Sequence, residues 1–180
     1  MKKFIISLSS LLVLFGCAQQ GAENIKISET PSLQETDHAI SAIKNFSKID
    51  LLGKRYKDIK FLKNENNPNT NQIARKFDAD GHIYLLNHNL EVTYFSDSTA
   101  ITTENTPKAK ELEKLAKKFA EEASQLNLDK LSASQSDKAG NKSFRWEDAT
   151  KAKLSTGKSP FVEVTLRPDG LVVGYINALI

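Results

Sequence analysis

Twice along this chain a helical spacing of apolar residues gives way to alternation, and that change of period restricts what the chain can fold into. In Thr36 to Lys48, the residues Ala39, Ile40, Ile43 and Phe46 fall at helical spacing, with Thr36 or Asp37 placed to cap the first turn. From Pro107 to Leu126 the spacing is stronger, with Leu112, Leu115, Ala116, Phe119, Ala120 and Ala123 along one face. Thr106 suits the cap of this second helix and Pro107 its first turn. Its charges, among them Lys110, Glu111, Lys114, Lys118 and Glu122, mix signs and read as a solvated face.

Each helical stretch is followed by short alternating segments. In the first half Ile73 to Asp78, Ile83 to Leu86 and Leu90 to Phe95 are separated by Ala79-Asp80-Gly81 and Asn87-His88-Asn89, and read as a three-stranded meander. In the second half Ser143 to Glu147, Phe161 to Leu166 and, after Pro168-Asp169-Gly170, Leu171 to Asn177 read the same way. The halves can be overlaid. Ile43 to Phe46 falls on Ala116 to Phe119, Ala74 to Phe77 near Phe144 to Glu147, and Tyr84 to Leu86 on Val164 to Leu166. Leu90, Val92 and Tyr94 then fall on Leu171, Val173 and Tyr175, so each trio is expected to pack on the helix of its own half. The fold class expected is α+β, an internal duplication with helix-on-antiparallel-sheet units at 36–98 and 105–180, open to sharing one sheet.

Ahead of these units, Met1-Lys2-Lys3 leads into an apolar run from Phe4 to Phe15, broken only by serines 7, 9 and 10, and then Gly16 and Cys17. That is the layout of a signal peptide. The run is too short for a bilayer core of about 30 Å, which takes roughly 20 helical residues. Leu14-Phe15-Gly16-Cys17 resembles the lipobox of bacterial lipoproteins. The resemblance implies that residues 1–16 are removed and that Cys17 takes a diacylglycerol through a thioether, its new amine being open to acylation. Residues 17–35, polar and without an apolar period, then form a lipidated tether. At about 0.8 kcal/mol per buried CH₂, two or three chains hold a protein on a membrane without a spanning helix. The membrane is thus an expected partner, reached on its extracytoplasmic side. Ala18 in place of an aspartate points to the outer membrane where the cell has one. With the one cysteine alkylated no disulfide can form, so the fold rests on its apolar core.

The second half, an amphipathic helix followed by Phe144-Arg145-Trp146-Glu147, a strand, Pro168-Asp169-Gly170 and a strand ending near Tyr175, resembles PepSY-like modules. The likeness is greatest to the YcdB/YcdC-type repeats of extracytoplasmic bacterial proteins, over about residues 107–178 and more weakly over 36–96. The first half lacks the tryptophan and has Asn87-His88-Asn89 where an acid-plus-glycine turn is usual. The resemblance implies a helix packed on a small antiparallel sheet, used for binding or inhibition and in some cases as a propeptide of secreted peptidases. It carries over no catalytic residue.

Residues that bear chemistry are scattered. His82 and His88 flank one expected strand about 20 Å apart, too far to share a metal, and both are expected in solvated turns. With Cys17 assigned to lipid, no thiolate is left for zinc. Asp78-Ala79-Asp80-Gly81 fails as a calcium loop, because Lys76 and Asn87 fall where positions one and twelve need acids. Glu147 and Asp148 point to opposite faces of a strand and form no acid/base pair. No G-x-S-x-G, phosphate loop or HExxH is present. Lys54, Arg55, Lys57, Lys60 and Lys63 make a basic stretch that Asp50, Asp58 and Glu65 dilute into a solvated loop. Trp146 reads as a core residue under the second helix rather than the wall of a peptide groove. Of the formal +3 charge, Lys2 and Lys3 leave with the signal, which weakens any case for nucleic acid.

The expectation is a non-enzymatic module without cofactor or metal, binding a polypeptide or envelope partner at a strand edge or helix-sheet groove. A regulator of an envelope peptidase and a small-molecule-binding lipoprotein are the alternatives. Cys17→Ser should abolish acylation and processing and release the domain from stable membrane association. Mass spectrometry of the mature amino terminus checks this, and an unmodified wild-type Cys17 would refute it.

Overall fold

The computed structural model describes residues 28–49, 52, 55–98 and 109–179. Cys17, its signal and most of the tether lie outside the described residues, as do Thr106 and Pro107. The elements in chain order are α1 (Leu33–Ser47), β1 (Ile59–Asn66), β2 (Ile73–Ala79), β3 (His82–Leu86), β4 (Val92–Ser96), α2 (Ala109–Ser124), β5 (Ser132–Lys138), β6 (Asn141–Glu147), β7 (Phe161–Leu166) and β8 (Val172–Asn177).

α1 begins earlier than its apolar spacing indicates, because Ser32 and not Thr36 caps it. The Glu35 amide donates to Ser32 Oγ at 3.2 Å, and Glu35 Oε2 accepts the Ser32 amide at 2.8 Å, a reciprocal capping box. Glu35 Oε1 accepts from the Arg75 guanidinium on β2 at 2.7 Å, which ties the helix start to the sheet. The Ser32 hydrogen bonds, with Arg75 behind them, hold the Glu35 carboxyl below the usual carboxylate range.

All eight strands form one antiparallel sheet in the order β1-β2-β3-β4-β8-β7-β6-β5. Each half is a helix followed by a four-stranded meander, one strand more than the alternation shows. The added strands, β1 and β5, are the sheet's two edges. β1 hides in the sequence because its register shifts between Phe61 and Lys63, which breaks the period of two. β5, Ser-Ala-Ser-Gln-Ser-Asp-Lys, is exposed along its whole length and carries no apolar pattern to read.

The two halves match in a register that differs from the sequence overlay. Tyr84↔Phe95 and Leu86↔Val92 in the first half correspond to Val164↔Tyr175 and Leu166↔Val172 in the second, a spacing of 80 residues, as 95 is from 175. Both pairings carry a bulge at the same place. The turns agree as well: Leu90 and Gly170 both have left-handed backbones, φ 62° and 88°. The amides of Asn87 and Arg167 donate to the carbonyls of Glu91 and Leu171. Leu90 therefore corresponds to Gly170, and Phe95, not Tyr94, to Tyr175.

The overlay of Leu90, Val92 and Tyr94 on Leu171, Val173 and Tyr175 is thus wrong by one residue. A slip of one reverses the face of every side chain. Tyr94 lies on the helix-free face and Leu171 is 42% exposed, whereas Phe95 and Tyr175 are fully buried under the helices. Likewise Phe77 corresponds to Phe144, since they face Tyr84 and Val164. The helix match of Phe46 with Phe119 agrees with the packing.

β4 and β8 join the halves, with Phe95 directly opposite Tyr175. Equivalent residues thus face each other, which puts a local pseudo-twofold axis through that pair. Over it the Phe46 ring lies 5.6 Å from Phe119, 5.2 Å from Tyr175 and 6.1 Å from Phe95. One core runs through both halves, from Phe77 and Leu86 to Phe144, Trp146 and Val164. Trp146 belongs to it at 4% exposure.

Phe46→Ala removes the ring shared by both halves and should cost about 3–5 kcal/mol, the range for truncating a buried aromatic. Trp146, the only tryptophan, sits in the second half and should emit at blue-shifted wavelengths. Urea unfolding followed by its fluorescence and by circular dichroism should give one transition, which Phe46→Ala moves in both signals. A Trp146 transition unmoved by Phe46→Ala would show that the halves unfold separately.

Candidate functional site

The two edges of the sheet differ in kind. β1 has its bulge at Leu62, and its lysines are paired: Lys60 with Asp58, and Lys63 with Glu65 at 3.1 Å. The basic stretch read as a loop is in part this edge strand. A bulge and lysines are what natural sheets use to keep foreign strands off an edge. The chain also arrives here, since Asn64 Nδ2 donates to the Ser28 carbonyl at 2.8 Å.

β5 carries no bulge, and its charges are confined to one end, where Asp137 pairs with Lys142 and Lys138 with Glu163. Its register runs without a shift from Ser132↔Glu147 to Lys138↔Asn141, and it contains no proline. Among the described residues nothing pairs with its outer side. On the helix face a groove of about 260 Å³ lies between β5 and α2, walled by Glu113 and by Ala133, Ser134 and Gln135, with Phe144 and Trp146 as its floor. Ala133 and Gln135 face α2 because they sit opposite Trp146 and Phe144. Trp146 is therefore both a core residue and, at one margin, part of a groove.

The helix-free face beside β5 is closed by its own groups. Lys138 pairs with Glu163, Arg145 lies against Glu147 and stacks 3.5 Å over the Phe161 ring, and the Ser143 and Thr165 hydroxyls meet at 2.6 Å. A second cavity, about 440 Å³, opens between the carboxyl ends of α1 and α2, bordered by Ala42, Asn45, Leu90, Glu122 and Ala123. No sequence pattern marks either concavity, because each forms between elements distant along the chain.

His38 is exposed, and so is His88, as expected, but His82 is not the solvated turn residue that its sequence context suggests. Its side chain is 13% exposed, with Nδ1 3.0 Å from the Ala79 carbonyl and Nε2 3.4 Å from Asp97. The ring stacks on Phe95, 6.3 Å between centroids. Beside it the hydroxyls of Tyr56 and Tyr84 lie 2.6 Å apart. Burial pushes the Tyr56 phenol up to about 12 and the Tyr84 phenol further, helped there by Tyr56. Both phenols stay protonated near neutral pH and offer no base. Asp80 is likewise occupied, its carboxylate accepting the amides of Lys57 and Asp58, which hold it below the usual range.

Unfolding returns the two phenols to an ordinary value near 10, so folding favours their protonated form. That contribution is complete below pH 10 and is lost as pH rises through the folded values. The urea midpoint should fall from about pH 10 to about pH 12, less steeply in Tyr56→Phe. Equal slopes in the two proteins would refute the assignment.

No family model matches the chain, and no curated protein or solved structure matches it either.

Proposed function

We propose that this chain is a lipid-anchored, extracytoplasmic binding module that takes an extended polypeptide along β5. The observation that carries this is the contrast between the edges: β1 is bulged and charged, whereas β5 is regular, unbulged and exposed throughout. A free strand edge presents alternating amide donors and carbonyl acceptors, and the ligand that matches this spacing is another extended backbone.

The anchor reading fits this arrangement. With lipid on Cys17, the tether reaches the domain at β1, and seven strand spacings of about 4.8 Å put β5 roughly 34 Å across the sheet from it. The membrane-side edge is then the guarded one, and the free edge faces the envelope space. The resemblance to PepSY-like modules supports the same reading, since it implies a helix on an antiparallel sheet used for binding or inhibition. Inhibition of an envelope peptidase is one use of such an edge, because peptidases also take their substrates extended.

A proline scan from Ser132 to Ser136 tests the proposal. Alternate positions, whose amides point outward, should accept proline with little loss of stability, and inward positions should not. Peptides selected for binding to the full-length protein should bind at least about tenfold less to the tolerated variants, which lose an outward donor and gain a clash. Binding unaffected by every tolerated proline would refute the use of β5.

A further inference from the structure

The groove beside β5 gives the added strand a side-chain preference. An incoming strand lies about 4.8 Å beyond β5 and about 10 Å from β6, whose Phe144 and Trp146 floor the groove. On the helix face its side chains must pass over Ala133 and Gln135 to reach that floor. Ala133 leaves the way open with a single methyl, but only a long side chain spans the distance. At the far wall stands Glu113 of α2, exposed and without a salt-bridge partner among the described residues. Lys117, one turn along that helix face, is close enough to feel the charge of Glu113 but makes its ion pairs elsewhere: it is bound to Asp129 and lies 3.9 Å from Glu121.

Resting on the strand-addition reading, we infer that the partner is a polypeptide strand with an arginine at the position facing this groove. The aliphatic stem of arginine can lie over Ala133 and along the strip of Phe144 and Trp146, and its fork of donors can meet the Glu113 carboxylate. Lysine delivers one compact, strongly hydrated charge and makes a poorer match to a carboxylate at the end of a narrow groove. A short or acidic side chain reaches nothing or meets Glu113 with like charge. On the opposite face the incoming strand meets Ser132, Ser134 and Ser136, which impose no charge preference, and at the end of β5 Lys138, whose charge is taken up by Glu163.

The test uses the full-length protein in detergent and a display library of ten-residue peptides. The expected result is enrichment of arginine at one position among alternating β-branched residues. Replacing that arginine by citrulline, which keeps the shape and removes the charge, should weaken binding about tenfold. Glu113→Gln should bring the two peptides to equal affinity while leaving citrulline binding unchanged, and only bound peptide should shift the Trp146 emission. Selected peptides that lose binding to the proline variants but show no arginine, or no difference with citrulline, would overturn this inference and leave the strand-addition reading standing. Failure to select any peptide, or self-association through β5 in its place, would overturn both.

Discussion

The pairing of β4 with β8 brings Phe95 opposite Tyr175, and the placement of both helices follows from that contact. An isolated four-stranded meander with one helix buries little apolar surface, and a half of this size would be marginal alone. Joining the halves edge to edge converts two exposed strands into central ones and lets Phe46 and Phe119 meet over the seam. The aromatic rings there meet edge-on or tilted, the geometry that aromatic quadrupoles favour. With no disulfide open to a chain whose one cysteine is at position 17, that shared core is the means by which the fold stands.

The same junction decides where unpaired backbone remains. A sheet built as two meanders joined through their last strands must end on their first strands, so β1 and β5 are edges by topology and not by composition. The two have diverged in chemistry. β1 receives the incoming chain through Asn64 and is protected by its bulge and ion pairs, whereas β5 is unbulged, keeps its charges at one end and has a groove beside Ala133 to Gln135.

Burial also separates the residues that look reactive from those that are free to act. His82 and Asp97 come together with Tyr56 and Tyr84, yet the hydroxyls bind each other and the imidazole meets Ala79 and Asp97 inside the packing. This cluster closes the outer end of the first meander. By contrast Glu113, an ordinary member of a mixed-charge helix face in the sequence, stands as an acid on the wall of the β5 groove.

The α+β class, both helices and six of the strands could be read from the sequence, because each buries one face and so must repeat its apolar residues at the period of its own geometry. The proposal of lipid on Cys17 is equally local, and rests on the sequence alone. What the sequence could not supply follows from the same rule. β5 buries neither face and leaves no pattern, and the bulge in β1 erases its pattern halfway. The true repeat register escaped because Leu90 occupies a left-handed turn position that Gly170 fills in the other half, so matching residue types align one place away from matching backbone positions. The shared sheet, the buried His82 and the Glu113 groove arise from contacts between residues far apart in the chain. Only the tertiary structure decides those, since alternation tells a side chain which face to take but not which element will lie across from it.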